Sequence, residues 1–383
     1  MSSTSAPALP ITVFGATGVI GHRVCTELAR MAAAVSIVGR RAAPLVELAR
    51  ALPAASVHVA EASDAAALAR AFAGARVVVN AAGPLRDTCA PVLVAALAAG
   101  AHYVDVGGEQ AVLHAVYERH ESAARRAGLV ALPGAGLDCA IGDLAAAWAA
   151  AHLIGAADPG GAVRDEPAQR LAEDQPLDDI AVSYVFDELA LTAGSQRALF
   201  GALGSRALVW RRDRWEAGVA GDHRRINAGP ALGGERDAQA YAGGDVLTLP
   251  RHVATGRVTA YLSTTRRAGA ATALRLLSRA LPFVPRRAGE LLVPYAVPDA
   301  DYGRTQLAVV AQVRRGFSAA QIVVRGHDLY RTTAVIAAWS ACRLAERDRG
   351  PIGMRAPGEL FCAEPALCAI ASLADLTIEP SFG

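Results

Sequence analysis

Apolar and polar residues alternate in regular blocks along the first third of the chain. Short runs rich in β-branched residues predict six strands, and the alanine-rich segments between them predict helices. The predicted strands comprise residues 11–15, 35–39, 56–60, 76–80, 102–106 and 129–133. Strands that alternate with helices usually form a parallel sheet covered by helices on both faces. The pattern therefore predicts an α/β fold with a doubly wound parallel sheet.

Beyond the sixth strand and the helix that follows it, the pattern changes. Residues 158–179 are polar and rich in proline and glycine, which is typical of a loop or linker. Longer alternating runs follow at residues 179–186 and 256–263, and residues 305–326 have the pattern of a hairpin. These runs predict a second, α+β domain built on an antiparallel or mixed sheet. A helical pattern returns from about residue 330 to residue 346.

The first strand leads into a glycine-rich turn and then into an amphipathic helix. Three glycines stand at three-residue spacing: Gly15, Gly18 and Gly21. A turn of this kind at a helix N-terminus binds anions, because free backbone N–H groups and the helix dipole both favour a pyrophosphate. We expect Gly15 to permit the turn, Gly18 to let the phosphates approach and Gly21 to let the helix pack on the strand. The predicted binding segment is Gly15, Ala16, Thr17, Gly18, Val19 and Ile20.

The end of the second strand should decide which dinucleotide is bound. NAD sites usually carry an acidic residue there for the ribose 2′-hydroxyl, whereas this chain has Gly39, Arg40 and Arg41. Arginine pairs well with a 2′-phosphate, so we predict NADP(H) as the cofactor. Asp64, after the third strand, either caps the next helix or lies near the adenine, and capping is the simpler interpretation.

The fourth strand ends in a run of small residues that begins with an amide side chain. Ligands of such sheets bind outside the carboxyl ends of the strands, near the point where the strand order reverses. We therefore expect the nicotinamide half of the cofactor to lie against Asn80, Ala81, Ala82 and Gly83.

Composition excludes several functional classes. Basic and acidic residues nearly balance, at 38 and 36, so nothing indicates a nucleic-acid partner. The nine histidines and the scattered cysteines form no metal-ligand pattern, so no metal site is expected and the thiols should be reduced and mostly buried. The first ten residues do not resemble a signal peptide, and the apolar run at residues 144–157 is too short to span a bilayer. We therefore expect a cytoplasmic protein without a transmembrane segment.

The chain contains no lysine at all. Its GATGxxG and NAAG motifs resemble those of short-chain dehydrogenases, but those enzymes activate a tyrosine with a lysine four residues later. That active site cannot be built here.

The chain resembles more closely the saccharopine dehydrogenase-like family, which includes trans-acting enoyl reductases of bacterial lipid and polyketide pathways. The resemblance rests on motifs spread over most of the chain: VFGATGVIG, VVVNAAGPL, YVDVGGE, PGAGLDCAIGDL, LALTAGSQRALF and YRTTAVIAAW. It implies an NAD(P)H-dependent reductase with an NADP-binding Rossmann domain of residues 1–145 and 328–383. An α+β substrate domain of residues 146–327 would interrupt it. The GLDCAIGDL and LTAGS segments depart from the family pattern, so the family's substrate is not carried over.

The candidate proton donors follow the fifth and sixth strands. They are Tyr103, Asp105, Glu109 and Asp138, and Cys139 lies beside them. Glu109 and Asp138 have structural alternatives, as a first-turn acid and a helix N-cap respectively. We expect Tyr103 and Asp138 to be the catalytic residues, with Tyr103 as the preferred acid. The second domain offers further tyrosines: Tyr184, Tyr295 and Tyr330.

These features predict an NADPH-dependent reductase of an activated C=C, C=N or C=O bond in a biosynthetic intermediate derived from polyketides, lipids or amino acids. Two alternatives remain: a nucleotide-binding enzyme that catalyses a non-redox step such as cyclisation, and an NADPH-sensing regulator. The segment 264–287 predicts a basic helix, which is either a solvated face or a docking site for an acidic carrier protein or a phosphorylated substrate. The substrate is thus a free small molecule or a carrier-bound group, and the sequence leaves a homodimer open.

Overall fold

The structure, a computed structural model, contains two β-sheets joined by a layer of helices. It describes residues 10–52, 55–156, 162–166, 169–187, 191–192, 195–196, 207–218, 222–264 and 302–383.

The first sheet is parallel and has seven strands. Its order is β15-β6-β5-β4-β1-β2-β3, so the strand order reverses between β1 and β4. The strands are β1 (Ile11–Phe14), β2 (Val35–Gly39), β3 (Ser56–Val59), β4 (Val77–Asn80), β5 (His102–Asp105), β6 (Val130–Leu132) and β15 (Gly353–Met354). The six strands predicted for this region are confirmed, as are the α/β class and the Rossmann-type topology.

Five helices connect these strands and cover both faces of the sheet. They are α1 (Val19–Arg30), α2 (Ala42–Ala51), α3 (Ala65–Phe72), α4 (Leu85–Ala98) and α5 (Gln110–Arg126). Strands β1, β4 and β5 are buried at every position, as expected for a parallel sheet covered on both sides. Gly128 follows the end of α5 with a φ of +68°, a left-handed conformation that commonly ends a helix at glycine.

The second sheet is mixed, and its path runs β10-β11-β12-β7-β13-β14-β16, with β8 and β9 attached to β12. Its strands are β7 (Asp179–Phe186), β8 (Leu208–Arg211), β9 (Arg214–Ala217), β10 (His223–Asn227), β11 (Glu235–Ala240), β12 (Arg257–Ser263), β13 (Gln306–Arg315), β14 (Ser318–His327) and β16 (Thr377–Phe382). Strands β7 and β12 and the β13–β14 hairpin were predicted. Strands β8 to β11 were not, because their many charged and exposed residues hide the alternation.

The helical layer lies between the sheets. After a π-helical turn at Leu137–Ile141, α6 (Gly142–Ile154) packs on β13 and β14. The remaining helices are α7 (Asp245–His252), α8 (Leu329–Glu346), α9 (Pro357–Leu360) and α10 (Ala363–Ala374).

The C-terminal region contributes to both sheets. Helix α8 returns to the first sheet, where it packs against α1, β4 and β5. Strand β16 instead pairs with β14 in the second sheet. The last strand therefore does not lie with the first sheet, although residues 328–383 were assigned to that domain. The domain boundaries themselves stay a prediction.

The residues that the structure describes include one stretch, Leu137–Ile154, that is long and apolar enough to cross a membrane. It is longer than the apolar run recognised in the sequence, because the π-helical turn extends α6. Since 67% of it is buried inside the protein, it has the character of a core helix.

His102 at the start of β5 makes the fold sensitive to acid. Its Nδ1 accepts a hydrogen bond from the Val130 N–H at 3.0 Å, and its Nε2 is buried without a partner among the described residues. Burial, reinforced by Arg76 and Arg347, lowers the pKa of His102 from 6.5 to about 4. The unfolded chain therefore takes up this proton at a higher pH than the folded protein, and stability is lost as the pH falls from 6.5 towards 4.

We predict that His102→Asn flattens this pH dependence, because the asparagine oxygen can still accept from Val130 but does not titrate. Between pH 7 and pH 4, the free energy of unfolding of the wild type should fall by up to about 3 kcal/mol more than that of the variant. Urea unfolding at a series of pH values measures this difference. Identical pH profiles for the two proteins would contradict the prediction.

Candidate cofactor and active site

The glycine-rich turn after β1 is packed directly against the turn after β4. Gly15 has a φ of +83°, a conformation that glycine adopts readily. A Cβ atom at Gly15 would lie 2.7 Å from the Ala82 nitrogen. Glycine is thus required at this position for both conformation and space, and the predicted role of Gly15 in the turn is confirmed.

Gly18 and Gly21 differ in what surrounds them. A Cβ at Gly21 would lie 2.1 Å from the Gly15 carbonyl oxygen, so only glycine lets α1 pack on the turn, as predicted. Gly18 is exposed, and a Cβ there would have only the Gly15 oxygen nearby, at 3.3 Å. An open, side-chain-free position at the N-terminus of α1 fits a pyrophosphate.

The other residues of the predicted phosphate segment take different positions. Ala16 is fully buried in the core, so only its backbone remains for a ligand. Thr17 faces Gly39 at the end of β2. A Cβ atom placed on Gly39 would lie 3.6 Å from the Thr17 Oγ1. Val19 is 41% exposed, and Ile20 is half-buried against the core. The turn and the end of β2 therefore form one continuous surface.

Arg40 and Arg41 lie at this surface and are both exposed. Within the described part of the chain, neither makes an ion pair or a side-chain hydrogen bond, which leaves both guanidinium groups available to a 2′-phosphate. Asp64 is a helix cap, because its carboxylate accepts a hydrogen bond from the Ala67 N–H at 2.9 Å. The simpler interpretation of Asp64 is thus confirmed.

Asn80, the last residue of β4, forms a hydrogen bond to the turn that follows it. Its side chain is fully buried, its Oδ1 accepts from the Ala82 N–H at 3.1 Å, and its Nδ2 donates to Tyr103 and Thr88. The amide is therefore used inside the protein and positions Ala82. Ala81 and Ala82 are half-buried and Gly83 is exposed, so these three residues provide the surface at the carboxyl end of β4.

A buried hydrogen-bond network connects the ends of β4, β5 and β6. The Tyr103 hydroxyl donates to Asp105 Oδ2 at 3.0 Å, and Cys89 Sγ lies 3.3 Å from the same oxygen. Asp105 Oδ1 accepts from the backbone N–H groups of Gly107 at 3.0 Å and Gly134 at 3.1 Å. The carboxyl group thereby fixes the loops after β5 and β6 relative to each other.

Tyr103 does not lie where a proton donor must lie. Its side chain is fully buried, and its hydroxyl points into the network rather than towards solvent. Burial, reinforced by Asp105, raises the pKa of Tyr103 well above 10. Burial likewise raises the pKa of Asp105, although the Gly134 and Gly107 N–H groups oppose this. We therefore correct the expectation for Tyr103: its contacts assign it a positioning role in place of direct catalysis.

Asp138 is placed differently, at the end of the loop after β6. Its side chain is exposed, and its carboxylate lies over Gly108, where a Cβ would be 2.4 Å from Asp138 Oδ2. It does not cap a helix, because the π-helical turn begins at Leu137 with Gly136 as its N-cap residue. Desolvation by the surrounding protein, with smaller contributions from Glu109 and Asp105, raises the pKa of Asp138 to about 6.

These loops form one continuous edge, which we call the strand-end site and define by Gly18, Ala82, Gly108 and Asp138. The turn after β1 touches the turn after β4 at Ala82. A Cβ at Gly107 would lie 2.3 Å from Leu85 Cδ1, so the start of α4 touches the loop after β5. That loop in turn touches Asp138 through Gly108.

The second domain meets this edge through the loop Tyr241–Gly244 and the start of β8. Gln110, the first residue of α5, donates its amide to the carbonyls of Leu208 at 3.0 Å and Gly243 at 3.2 Å. Its Oε1 accepts from the Leu208 N–H at 2.7 Å. Gly244 lies against Cys139. A Cβ atom placed on Gly244 would lie 3.1 Å from the Cys139 Sγ. Cys139 is buried between the two domains and is a packing residue.

Two of the three tyrosines expected from the second domain donate hydrogen bonds inside the protein. Tyr184 is buried and donates to Asp245 at 2.9 Å, and Tyr330 is buried and donates to Ser195 at 2.9 Å. Tyr295 lies outside the described residues. The sequence analysis missed Tyr241, which stands beside Tyr184 at the domain boundary. The Gly-Gly pair that follows it was the available signal.

Two further predictions lie wholly or largely outside the described residues: most of the LALTAGSQRALF motif and the basic segment from residue 265 to residue 287. Within the ranges that the structure describes, no group of three or more histidine, cysteine, aspartate or glutamate residues could hold a metal ion.

Comparison with known proteins identifies the first domain. Residues 11–132 match the family model described as the saccharopine dehydrogenase NADP binding domain. Residues 11–132 therefore form an NADP-binding domain of the saccharopine dehydrogenase type. The protein is an NAD(P)-dependent oxidoreductase, and its cofactor is NADP. The comparison with curated proteins found no match.

A solved structure shares this fold over nearly the whole chain. Apo saccharopine dehydrogenase (L-Glu forming) from Saccharomyces cerevisiae has a TM-score of 0.62 at 13% identity, and the match covers 98% of this chain and 100% of that chain. Such an identity shows the fold alone. The NADP(H) complex of triphenylmethane reductase from Citrobacter sp. is 24% identical, with a TM-score of 0.27 over 32% of this chain and 48% of that chain.

We predict that Gly18→Val blocks NADPH binding without unfolding the protein, because the position is open and has an ordinary φ. Gly21→Ala is the matched control, since its methyl group would meet the Gly15 carbonyl and should destabilise the fold. Fluorescence titration with NADPH and thermal unfolding measure the two effects. Wild-type affinity in Gly18→Val would contradict the placement of the phosphates.

We also predict that replacing Arg40 and Arg41 together by alanine weakens NADPH binding and spares NADH. Loss of a charge-assisted pair with the 2′-phosphate costs about 1.5–3 kcal/mol, which corresponds to roughly tenfold to a hundredfold or more in affinity. Titration of each variant with both cofactors measures the selectivity. Equal losses for NADPH and NADH would show that the arginines have another role.

Proposed function

We propose that this protein is an NADPH-dependent reductase of an activated C=C, C=N or C=O bond in a biosynthetic intermediate, and that Asp138 supplies the proton. The observation that carries the proposal is the position of the Asp138 carboxyl group, open to solvent at the edge where the cofactor loops meet. The buried acids of the same region, Asp105 and Asp245, are already hydrogen-bonded inside the protein.

The residues of the strand-end site fit NADPH in three places. The open turn at Gly18 would hold the pyrophosphate, Arg40 and Arg41 would hold the 2′-phosphate, and the small residues Ala82 and Gly83 leave room for the nicotinamide. When bound, NADPH supplies the hydride that a reduction needs. The protein must then position the substrate and deliver a proton.

Asp138 suits that second requirement. A carboxyl group with a pKa of about 6 is protonated in a useful fraction of molecules near neutral pH, and it can regain its proton from solvent because it is exposed. Glu109, whose pKa is raised by burial and lowered in part by Arg86, lies close enough to Asp138 to favour its protonated form.

A substrate panel tests the proposed function. The purified protein is incubated with NADPH and 2-cyclohexenone, 1-pyrroline, a medium-chain ketone or a crotonyl thioester, and both NADPH absorbance and product mass are followed. A product two mass units heavier than the substrate supports the reductase. A product of unchanged mass with intact NADPH would indicate a non-redox enzyme, and tight NADPH binding without any product would indicate a sensor.

We predict that the rate of reduction falls as the pH rises through about 6, because the acid form of Asp138 is lost. We also predict that Asp138→Asn lowers kcat by roughly 10²–10⁴ and leaves the Kd for NADPH unchanged. Tyr103→Phe is the comparison variant and should lower kcat much less than Asp138→Asn, because Tyr103 only helps to position the loops and Asp105 keeps its two backbone donors. A large loss in Tyr103→Phe, together with normal activity in Asp138→Asn, would reverse the assignment.

The remaining expectations are part of the proposal. They comprise a cytoplasmic location, a carrier-bound substrate, an acidic carrier protein at residues 264–287, an enoyl reductase-like reaction and a homodimer.

A further inference from the structure

Tyr241 begins the loop that brings the second domain to the strand-end site. It follows β11, and its backbone N–H donates to the Ala260 carbonyl on β12 at 3.1 Å, so the loop is attached to the second sheet. Two residues later, the loop is attached to the first domain through the hydrogen bond from Gln110 to the Gly243 carbonyl. The loop is therefore held from both sides.

The Tyr241 ring has a defined orientation within this loop. It packs edge-on against the Tyr184 ring, with centroids 6.1 Å apart and an interplanar angle of 90°. Its hydroxyl lies over Gly243, where a Cβ would be 3.1 Å away. The same Cβ would lie 2.6 Å from the Ala260 Cβ on β12, so only glycine fits between the second sheet and the Tyr241 ring.

The hydroxyl of Tyr241 differs from those of Tyr103, Tyr184 and Tyr330. The hydroxyls of Tyr103, Tyr184 and Tyr330 all donate hydrogen bonds to protein atoms. Tyr241 is only half-buried, and among the described residues its hydroxyl has no hydrogen-bond partner. A polar group that the surrounding protein positions but does not satisfy is suited to a ligand.

The loop also lies next to the proposed proton donor. Gly244 packs on Cys139, the residue that follows Asp138. Burial raises the pKa of Tyr241 well above 10, and the nearby carboxylates of Asp245 and Asp138 reinforce this. The phenol is therefore neutral at physiological pH, which suits a hydrogen-bond donor.

We propose that Tyr241 is the catalytic hydroxyl of the second domain and donates a hydrogen bond to the substrate heteroatom that receives the electron pair of the reduced bond. This inference rests on the proposed reductase function. As the electron pair moves onto the oxygen or nitrogen, Tyr241 stabilises the developing charge and keeps its own proton. Asp138 delivers the proton that completes the reduction and becomes a carboxylate, which solvent reprotonates.

Cysteine labelling tests the placement without any substrate. Cys368 is the exposed one of the six native cysteines, so Cys368→Ser provides the background. Tyr241→Cys in that background should react with iodoacetamide at least about tenfold faster than the buried control Tyr184→Cys, and saturating NADP⁺ should slow the reaction. Equal rates for the two variants, or a Tyr241→Cys rate that NADP⁺ does not change, would overturn the proposal.

Catalysis is tested with whichever compound the substrate panel shows to be reduced. Tyr241→Phe keeps the ring and should lower kcat by roughly 10²–10³ without changing the Kd for NADPH. Tyr261→Phe is the matched control, because that ring packs in a separate core cluster with Ala181 and Val310. Unchanged kcat in Tyr241→Phe would also overturn the proposal.

The two hypotheses fail in different ways. If no compound is reduced but labelling of Tyr241→Cys is fast and slowed by NADP⁺, the reductase function fails while Tyr241 still faces the cofactor. If reduction is observed but labelling matches the buried control, the reductase function stands and the assignment of Tyr241 fails.

Discussion

The strand-end site depends on one buried carboxyl group, that of Asp105. It accepts hydrogen bonds from the backbone of the loops after β5 and β6 and from the Tyr103 hydroxyl, which also meets Asn80. A buried carboxyl group that lost these partners would be strongly destabilising. The native loop conformation is therefore the one in which Asp105 is satisfied, and the positions of Gly108 and Asp138 follow from it.

Buried and exposed polar groups therefore have different roles at this site. Asn80, Tyr103 and Asp105 are oriented inwards and hold loops in place, so their side chains are unavailable to a ligand. The backbone and the small residues in front of them form the accessible surface of the strand-end site. Asp138 lies on the same edge but outside the network, and desolvation by the surrounding protein, reinforced by Glu109 and Asp105, raises its pKa.

The second domain completes the site through backbone contacts. Gln110 uses both ends of its amide on the main chain of β8 and of the loop Tyr241–Gly244. Gly243 lets the backbone of that loop lie close to the Tyr241 ring, and Gly244 lets it lie close to Cys139 in the first domain. The two domains are therefore in direct contact beside the strand-end site.

The sequence alone determined the first sheet, the nucleotide-binding turn and the identity of the cofactor, because these depend on local features. Strand and helix periodicity, the spacing of Gly15, Gly18 and Gly21, and the two arginines after β2 are all visible within short segments. The roles of Tyr103, Asp138 and Tyr241 were decided only by the tertiary structure. Tyr103 lies within β5 and Asp138 follows β6 of the same sheet, and no local pattern shows that one side chain is enclosed in the core while the other remains at the surface. Tyr241 is more than a hundred residues from both Tyr103 and Asp138. It reaches the site only because the loop Tyr241–Gly244 of the second domain packs against the first domain. Burial and hydrogen-bond partners, which assign these roles, are properties of residues distant in sequence and adjacent in space.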